Sequence, residues 1–211
     1  MPVNRLFSLP LLAALLAGAT CAQAEVRVLT SIKPLQLIAA AVQDGVGQPD
    51  VLLPASASAH HYSLRPSDVR RLRDAELFYW IGPDLESFLP RALSAREGTT
   101  VAVQDLPKLT LRRFGDAHTH AEDDHHDHDH DHGDAHDGHE HDHAAHADEH
   151  DHDHRPGSLD AHLWLLPANA VVIAERMAAD LAAADPANAG RYQANSSAFA
   201  ERVEALDGRL K

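Results

Sequence analysis

Residues 116–154 set the limit on how much of this chain can fold. These 39 residues hold 15 of the 18 histidines and 15 of the 32 acidic residues, with no lysine or arginine and little that is apolar beyond alanine. Such a stretch buries too little surface to offset the entropy of ordering its backbone. A solvated, disordered insertion over 116–157 is therefore expected, and any core must come from the two segments on either side of it.

What the insertion can do is bind metal. Neutral imidazole is a good ligand for zinc, copper and nickel. The candidate low-affinity metal loop comprises His118, His120, His125, His126, His128, His130, His132, His136, His139, His141, His143, His146, His150, His152 and His154. Many of these repeat at a spacing of two, as in His128-Asp129-His130-Asp131-His132. In an extended chain, residues i and i+2 share a side, so two imidazoles could hold one ion with carboxylates facing away or completing the shell. The acidic neighbours attract cations and raise the histidine basicity, so protons should compete for the same nitrogens below about pH 6.5. The plainer alternative is an acidic linker whose histidines are incidental.

The N-terminus reads as a secretory signal over 1–24. Arg5 supplies the positive end and residues 6–16 form an apolar run too short to span a bilayer. Ala22-Gln23-Ala24 has the small-x-small form of a cleavage site. Cys21 offers a rival lipid-anchor reading, but Gly18-Ala19-Thr20 before it is a poor lipobox. If cleavage follows Ala24, the only cysteine is lost, so neither a disulfide nor a thiolate zinc site is expected. An exported soluble protein is expected, which in a Gram-negative cell means the periplasm. Outside 116–154 the mature chain carries 17 basic and 17 acidic residues. With no basic patch dominating, nucleic acid is not an expected partner.

The remaining sequence alternates between strand and helix patterns. Strands are expected at 26–31, 50–53, 77–81 and 99–103, the third a continuous apolar run. Helices are expected from Pro34 to about Gln43, after Pro66, and on the face shared by Leu85, Phe88, Leu89 and Leu93. This order predicts an α/β lobe, a parallel β-sheet flanked by helices, over 25–115 and 158–184, with ligand groups in loops beyond the strands. Pro167 opens another helix. After the Asp185-Pro186 start, a long helix over 186–211 carries Tyr192, Phe199, Val203, Leu206 and Leu210 on one face. Its length suits a connection to a further lobe absent from this chain, which is expected to be the N-terminal portion of a longer protein.

Two segments carry a resemblance. One runs from Pro54 through His60-His61-Tyr62-Ser63-Leu64-Arg65-Pro66-Ser67-Asp68. The other is Asp160-Ala161-His162-Leu163-Trp164-Leu165-Leu166-Pro167. With residues 77–81 and Gly82-Pro83-Asp84-Leu85-Glu86, they resemble the zinc-specific solute-binding proteins of bacterial ABC importers (ZnuA-type). The resemblance covers the signal, the lobe, the insertion and the long helix. It implies two α/β lobes joined by a rigid helix, with Zn²⁺ in the cleft as transported cargo and an inner-membrane ABC permease as partner. It also implies a monomer that performs no chemistry, with His60 and His162 as zinc ligands from this lobe. Ala59 departs from the pattern, because zinc-specific members often carry Glu there. A carboxylate, a water or His61 therefore stays open as the completing group.

The residues themselves agree. Zinc takes four ligands, commonly imidazoles, and needs no thiolate. Only His60, His61 and His162 lie outside the insertion. His61 is expected to stand behind a ligand or on the surface, since adjacent side chains diverge. Tyr62, Arg65 and Asp68 are expected to brace the loop, and Trp80 and Trp164 to pack. The rival function is a periplasmic metal buffer or chaperone without a transporter, for which the insertion alone would suffice. A metal-dependent hydrolase is disfavoured, as there is no His-Glu-x-x-His and no nucleophile elbow.

Overall fold

The computed structural model describes residues 25–115 and 157–210. The expected signal over 1–24 and all fifteen insertion histidines lie outside the described residues, as does the Leu210 side chain.

Four parallel strands form one sheet in the order β2-β1-β3-β4. They are β1 (Val28–Thr30), β2 (Asp50–Val51), β3 (Leu77–Trp80) and β4 (Thr99–Ala102). β3 lies inside the sheet and is buried along its length, as its unbroken apolar sequence requires. The ladder of β2 continues past its end, where Leu52 N–H donates to Thr30 O at 2.7 Å and Leu53 N–H to Ser31 O at 3.0 Å. Parallel pairing needs crossovers, and helices α1 (Lys33–Val42) and α2 (Pro66–Asp74) supply two of them. Pro34 and Pro66 sit in first turns, where a missing N–H costs nothing. Leu35, Ile38, Ala39 and Val42 put the buried face of α1 on the sheet at helical spacing.

The third crossover differs from its expected form. Leu85, Phe88, Leu89 and Leu93 do fit one helical face, yet only Pro90–Leu93 is helical (α3) and turns precede it. Pro90 is the reason. In the middle of a helix over 85–93 it could not donate to the Glu86 carbonyl, and its ring would crowd that carbonyl. The chain instead makes short turns, with Glu86 N–H to Gly82 O at 2.9 Å and Leu89 N–H to Glu86 O at 3.0 Å.

After the insertion come α4 (Pro167–Ala184) and α5 (Ala189–Leu210), joined by a 3-10 turn at Pro186–Asn188. α5 folds back along α4 and also packs on α1. The corner is set by Asp185, which accepts from Asn188 Nδ2 at 2.7 Å and from the buried Tyr192 hydroxyl at 2.9 Å. The Asn188 hydrogen bond foremost holds the Asp185 carboxyl below its ordinary range, against the opposing effect of burial. One turn on, Asn195 Nδ2 donates to Val42 O and Asp44 O, both at 2.9 Å, tying α5 to the end of α1. The apolar stripe of α5 is buried at Tyr192 and partly buried at Phe199 and Val203, but Leu206 is 45% exposed. The Tyr79 hydroxyl donates to Asp180 Oδ2 at 3.0 Å, which pins β3 to α4, and Arg176 pairs with the same carboxylate at 2.9 Å.

Candidate metal centre

His60 lies in the loop after β2, and His162 immediately precedes a 3-10 turn at Leu163–Leu165. Although the insertion separates them in sequence, their ring centroids stand 5.9 Å apart with the planes at 52°. With Zn–N near 2.0–2.1 Å and tetrahedral angles, two imidazoles sharing an ion would have centroids about 5 Å apart. The observed centroid separation is within about 1 Å of that value. The His61 ring is 6.3 Å from His60 on an exposed side chain. Among the described residues, no group of three or more His, Cys, Asp or Glu side chains is arranged to hold a metal ion. This lobe thus brings together two imidazoles, a partial donor set of the chemistry zinc prefers.

His162 does not follow a sheet strand, contrary to the expected placement of these histidines after strands. The two ends of the insertion are held together instead. Phe114 N–H donates to Ser158 O at 2.9 Å, Arg113 and Leu159 form an antiparallel bridge, and Asp160 N–H donates to Arg112 O at 2.8 Å. Residues 112–114 and 158–160 therefore make a short stalk, and His162 stands two residues beyond it. A cavity of about 210 Å³ opens beside His162, lined in part by Thr110, Arg112, Asp160 and Asn169. Asn169 is buried and closes its floor, bonding Thr110 N and O at 2.8 and 2.9 Å and Leu163 O at 3.0 Å. The Trp164 ring meets His162 edge-on at 5.5 Å, while Trp80 is buried in the core.

The His60 loop is braced by the residues that follow it. Asp68 Oδ2 accepts from the Tyr62 hydroxyl at 3.0 Å and from Arg65 N–H at 2.9 Å, which closes the loop onto the start of α2. The Tyr62 ring packs edge-on against Phe88 at 5.8 Å. Burial, then the hydrogen bond to Asp68, raises the Tyr62 hydroxyl above its ordinary value, so it stays a donor at neutral pH. Tyr62→Phe keeps the ring contact and removes only the hydroxyl. It is expected to cost about 1 kcal/mol in a urea melt, a typical net hydrogen-bond contribution, without altering the zinc stoichiometry.

The contacts of two further acidic residues were not legible in the sequence. Asp160 appears in the second segment, but its contact is geometric: its Oδ1 meets His162 Nδ1 at 2.8 Å. Its spacing of two from a histidine in a loop was the available signal. Glu86, in the turn after β3, is wholly buried. It accepts from the Ser31 hydroxyl, from Ile81 N–H at 2.9 Å and from Gly82 N–H at 3.1 Å. These bonds commit both oxygens to bracing the ends of β1 and β3. Burial pushes this carboxyl up to about 7, against the lowering effect of those three hydrogen bonds.

The family model described as ZnuA, zinc-uptake complex component A periplasmic, matches residues 28–211. The high-affinity zinc uptake system protein ZnuA of Yersinia pestis is 41% identical over 178 residues, covering 83% of this chain and 52% of its own length. Its counterpart from Paracoccus denitrificans is 45% identical over 208 residues, covering 97% of this chain and 62% of its own. The chain thus spans between half and two thirds of these relatives. In fold, it is similar to a crystal structure of Zn(II)-bound AdcA from Streptococcus pneumoniae, with a TM-score of 0.61 and 18% identity over 88% of this chain and 32% of that one. The parallel sheet with its flanking helices agrees with these likenesses in fold, and the chain belongs to the ZnuA family of periplasmic zinc-uptake components.

Proposed function

We propose that this chain is the metal-capturing part of a periplasmic zinc-binding protein that hands Zn²⁺ to an inner-membrane ABC permease. One observation carries the reading: His60 and His162, from either side of the insertion, stand 5.9 Å apart in a lobe of this family. Both ligate the same ion as cargo, and no bond in the cargo is made or broken. Groups beyond this pair complete the shell, with His61 as one alternative. Zinc is favoured over manganese or iron because the donors are imidazoles rather than oxygens. The named relatives are zinc uptake proteins, which supports zinc over nickel or copper. Export follows from the signal over 1–24, and the working form is a monomer. Among the described residues no helix is long and apolar enough to cross a membrane. α5 serves as the inter-lobe helix, and its exposed Leu206 and the chain's coverage of its relatives support that role.

The insertion acts as a low-affinity antenna that gathers ions near the tight site. The stalk supports this role, because it returns both ends of the insertion to the base on which His162 stands. Deleting residues 116–154 is expected to leave one tight zinc site and remove several weak ones, counted by calorimetric titration with and without a competing chelator. Loss of the tight site on deletion would favour the rival reading, a metal buffer whose function rests on the insertion alone.

A further inference from the structure

Resting on the reading of His162 as a zinc ligand, we infer that Asp160 is its positioning residue. Asp160 holds the proton on His162 Nδ1 and so presents Nε2 to the metal. A neutral imidazole carries one N–H and one bare nitrogen, and an ionised carboxylate only accepts. With Asp160 Oδ1 at 2.8 Å from Nδ1, the contact is a hydrogen bond only if Nδ1 carries the proton. The same oxygen accepts the His162 backbone N–H at 3.1 Å. Ring and backbone are thus tied to one atom, which fixes the direction of the ring as well as its tautomer. Both side chains are about one-third exposed, so the pair sits at the edge of the lobe, where a ligand can reach it.

Asp160 is held in turn. Its backbone N–H donates to Arg112 O at 2.8 Å, beside the Arg113–Leu159 bridge. Trp164 also packs edge-on against the imidazole, with ring centroids 5.5 Å apart. The stalk fixes Asp160, Asp160 fixes His162, and the base of the insertion therefore sets the aim of one zinc ligand. A carboxylate behind a histidine also raises the basicity of the nitrogen that faces the metal, and loss of such a partner typically costs 10- to 100-fold in metal affinity.

The test uses the full chain, ¹⁵N-labelled and metal-free, at about pH 8, where an ordinary imidazole is neutral. Long-range ¹H–¹⁵N correlation reads the tautomer, and His162→Gln identifies the His162 signals by their loss. In the wild type, His162 is expected to carry its proton on Nδ1. Asp160→Ala is expected to abolish that preference and lower zinc affinity by about 10- to 100-fold in chelator competition. Asp160→Asn, whose side-chain oxygen can still accept both N–H groups, should keep the tautomer and recover most of the affinity. It also covers the case in which the alanine variant fails to fold. A proton on Nε2 in the wild type, or a tautomer indifferent to both substitutions, overturns the inference. So does unchanged zinc affinity in Asp160→Ala while His162→Gln loses binding. If His162→Gln itself binds zinc as tightly as the wild type, the zinc-ligand reading fails instead, and the tautomer result identifies which of the two was wrong.

Discussion

Replacing either His60 or His162 by alanine is expected to lower the affinity of the tightest zinc site by more than about 100-fold, beyond the usual cost of losing a supporting group. Four-coordinate zinc that loses one imidazole must recruit water in its place, and the remaining ring no longer holds the ion alone. The two substitutions should have similar effects, because the two ring centroids stand only 5.9 Å apart and each supplies one imidazole. His61→Ala should cost far less, since that side chain is exposed and no third donor gathers with the pair among the described residues. Competition against a strong chelator reads only the tightest site, so weak binding by the insertion does not mask the loss. A His61→Ala loss as large as the other two would move the site toward the β2 loop.

Glu86→Gln is expected to raise folding stability at pH 8 by up to roughly 3 kcal/mol and to change it little at pH 4. Glu86 is wholly buried, and its carboxyl is pushed from an ordinary 4.5 to about 7. Below about pH 4.5 the folded and unfolded chains both hold the proton, and the group's contribution is fully present. Between 4.5 and about 7 the unfolded chain ionises while the folded chain does not, so stability is lost as pH rises. Above about 7 the deficit stays constant. Glutamine resembles the protonated acid: its oxygen accepts from Ile81 and Gly82, and its amide can donate to Ser31. The difference between wild type and variant in urea melts across pH isolates this one group. Asp185 acts in another window, since its lowered carboxyl contributes stability above its ordinary range that is lost only in stronger acid. Parallel pH profiles for wild type and Glu86→Gln would rule out a buried, protonated Glu86.

The sheet was legible because its strands differ sharply from their surroundings. Residues 77–81 are apolar without interruption, as a strand covered on both faces requires. Pro34, Pro66 and Pro167 marked helix starts correctly for a physical reason, the absent N–H. The same residue type defeated the helix over 85–93: the apolar spacing fits, but Pro90 falls where a helix interior needs a donor. Spacing reports which residues face a core and not whether the backbone between them can be helical.

For the site, composition and motif pointed to His60 and His162 but not to their approach, which depends on how the stalk and the β2 loop pack. Asp160 could be read only once its carboxylate was seen against Nδ1. Glu86 entered only as part of the resembling segment 82–86, and nothing there pointed to its burial. An acid in a Gly-Pro-Asp-Leu-Glu turn looks like ordinary surface, and its burial follows from Ser31 at the end of a neighbouring strand. The expected signal over 1–24 and the insertion, the clearest features of the sequence, fall outside the described residues.

The central claim is that His60 and His162 share one ion, and a double-mutant cycle on zinc affinity tests it most directly. His60→Ala, His162→Ala and the double variant are compared with the wild type by chelator competition. Ligands of a single ion act as a unit, so the double variant should lose little more than either single one, a coupling far outside additivity. A loss seen only in the double variant would mean two separate sites, and no loss in any of the three variants would mean that zinc binds elsewhere in the chain.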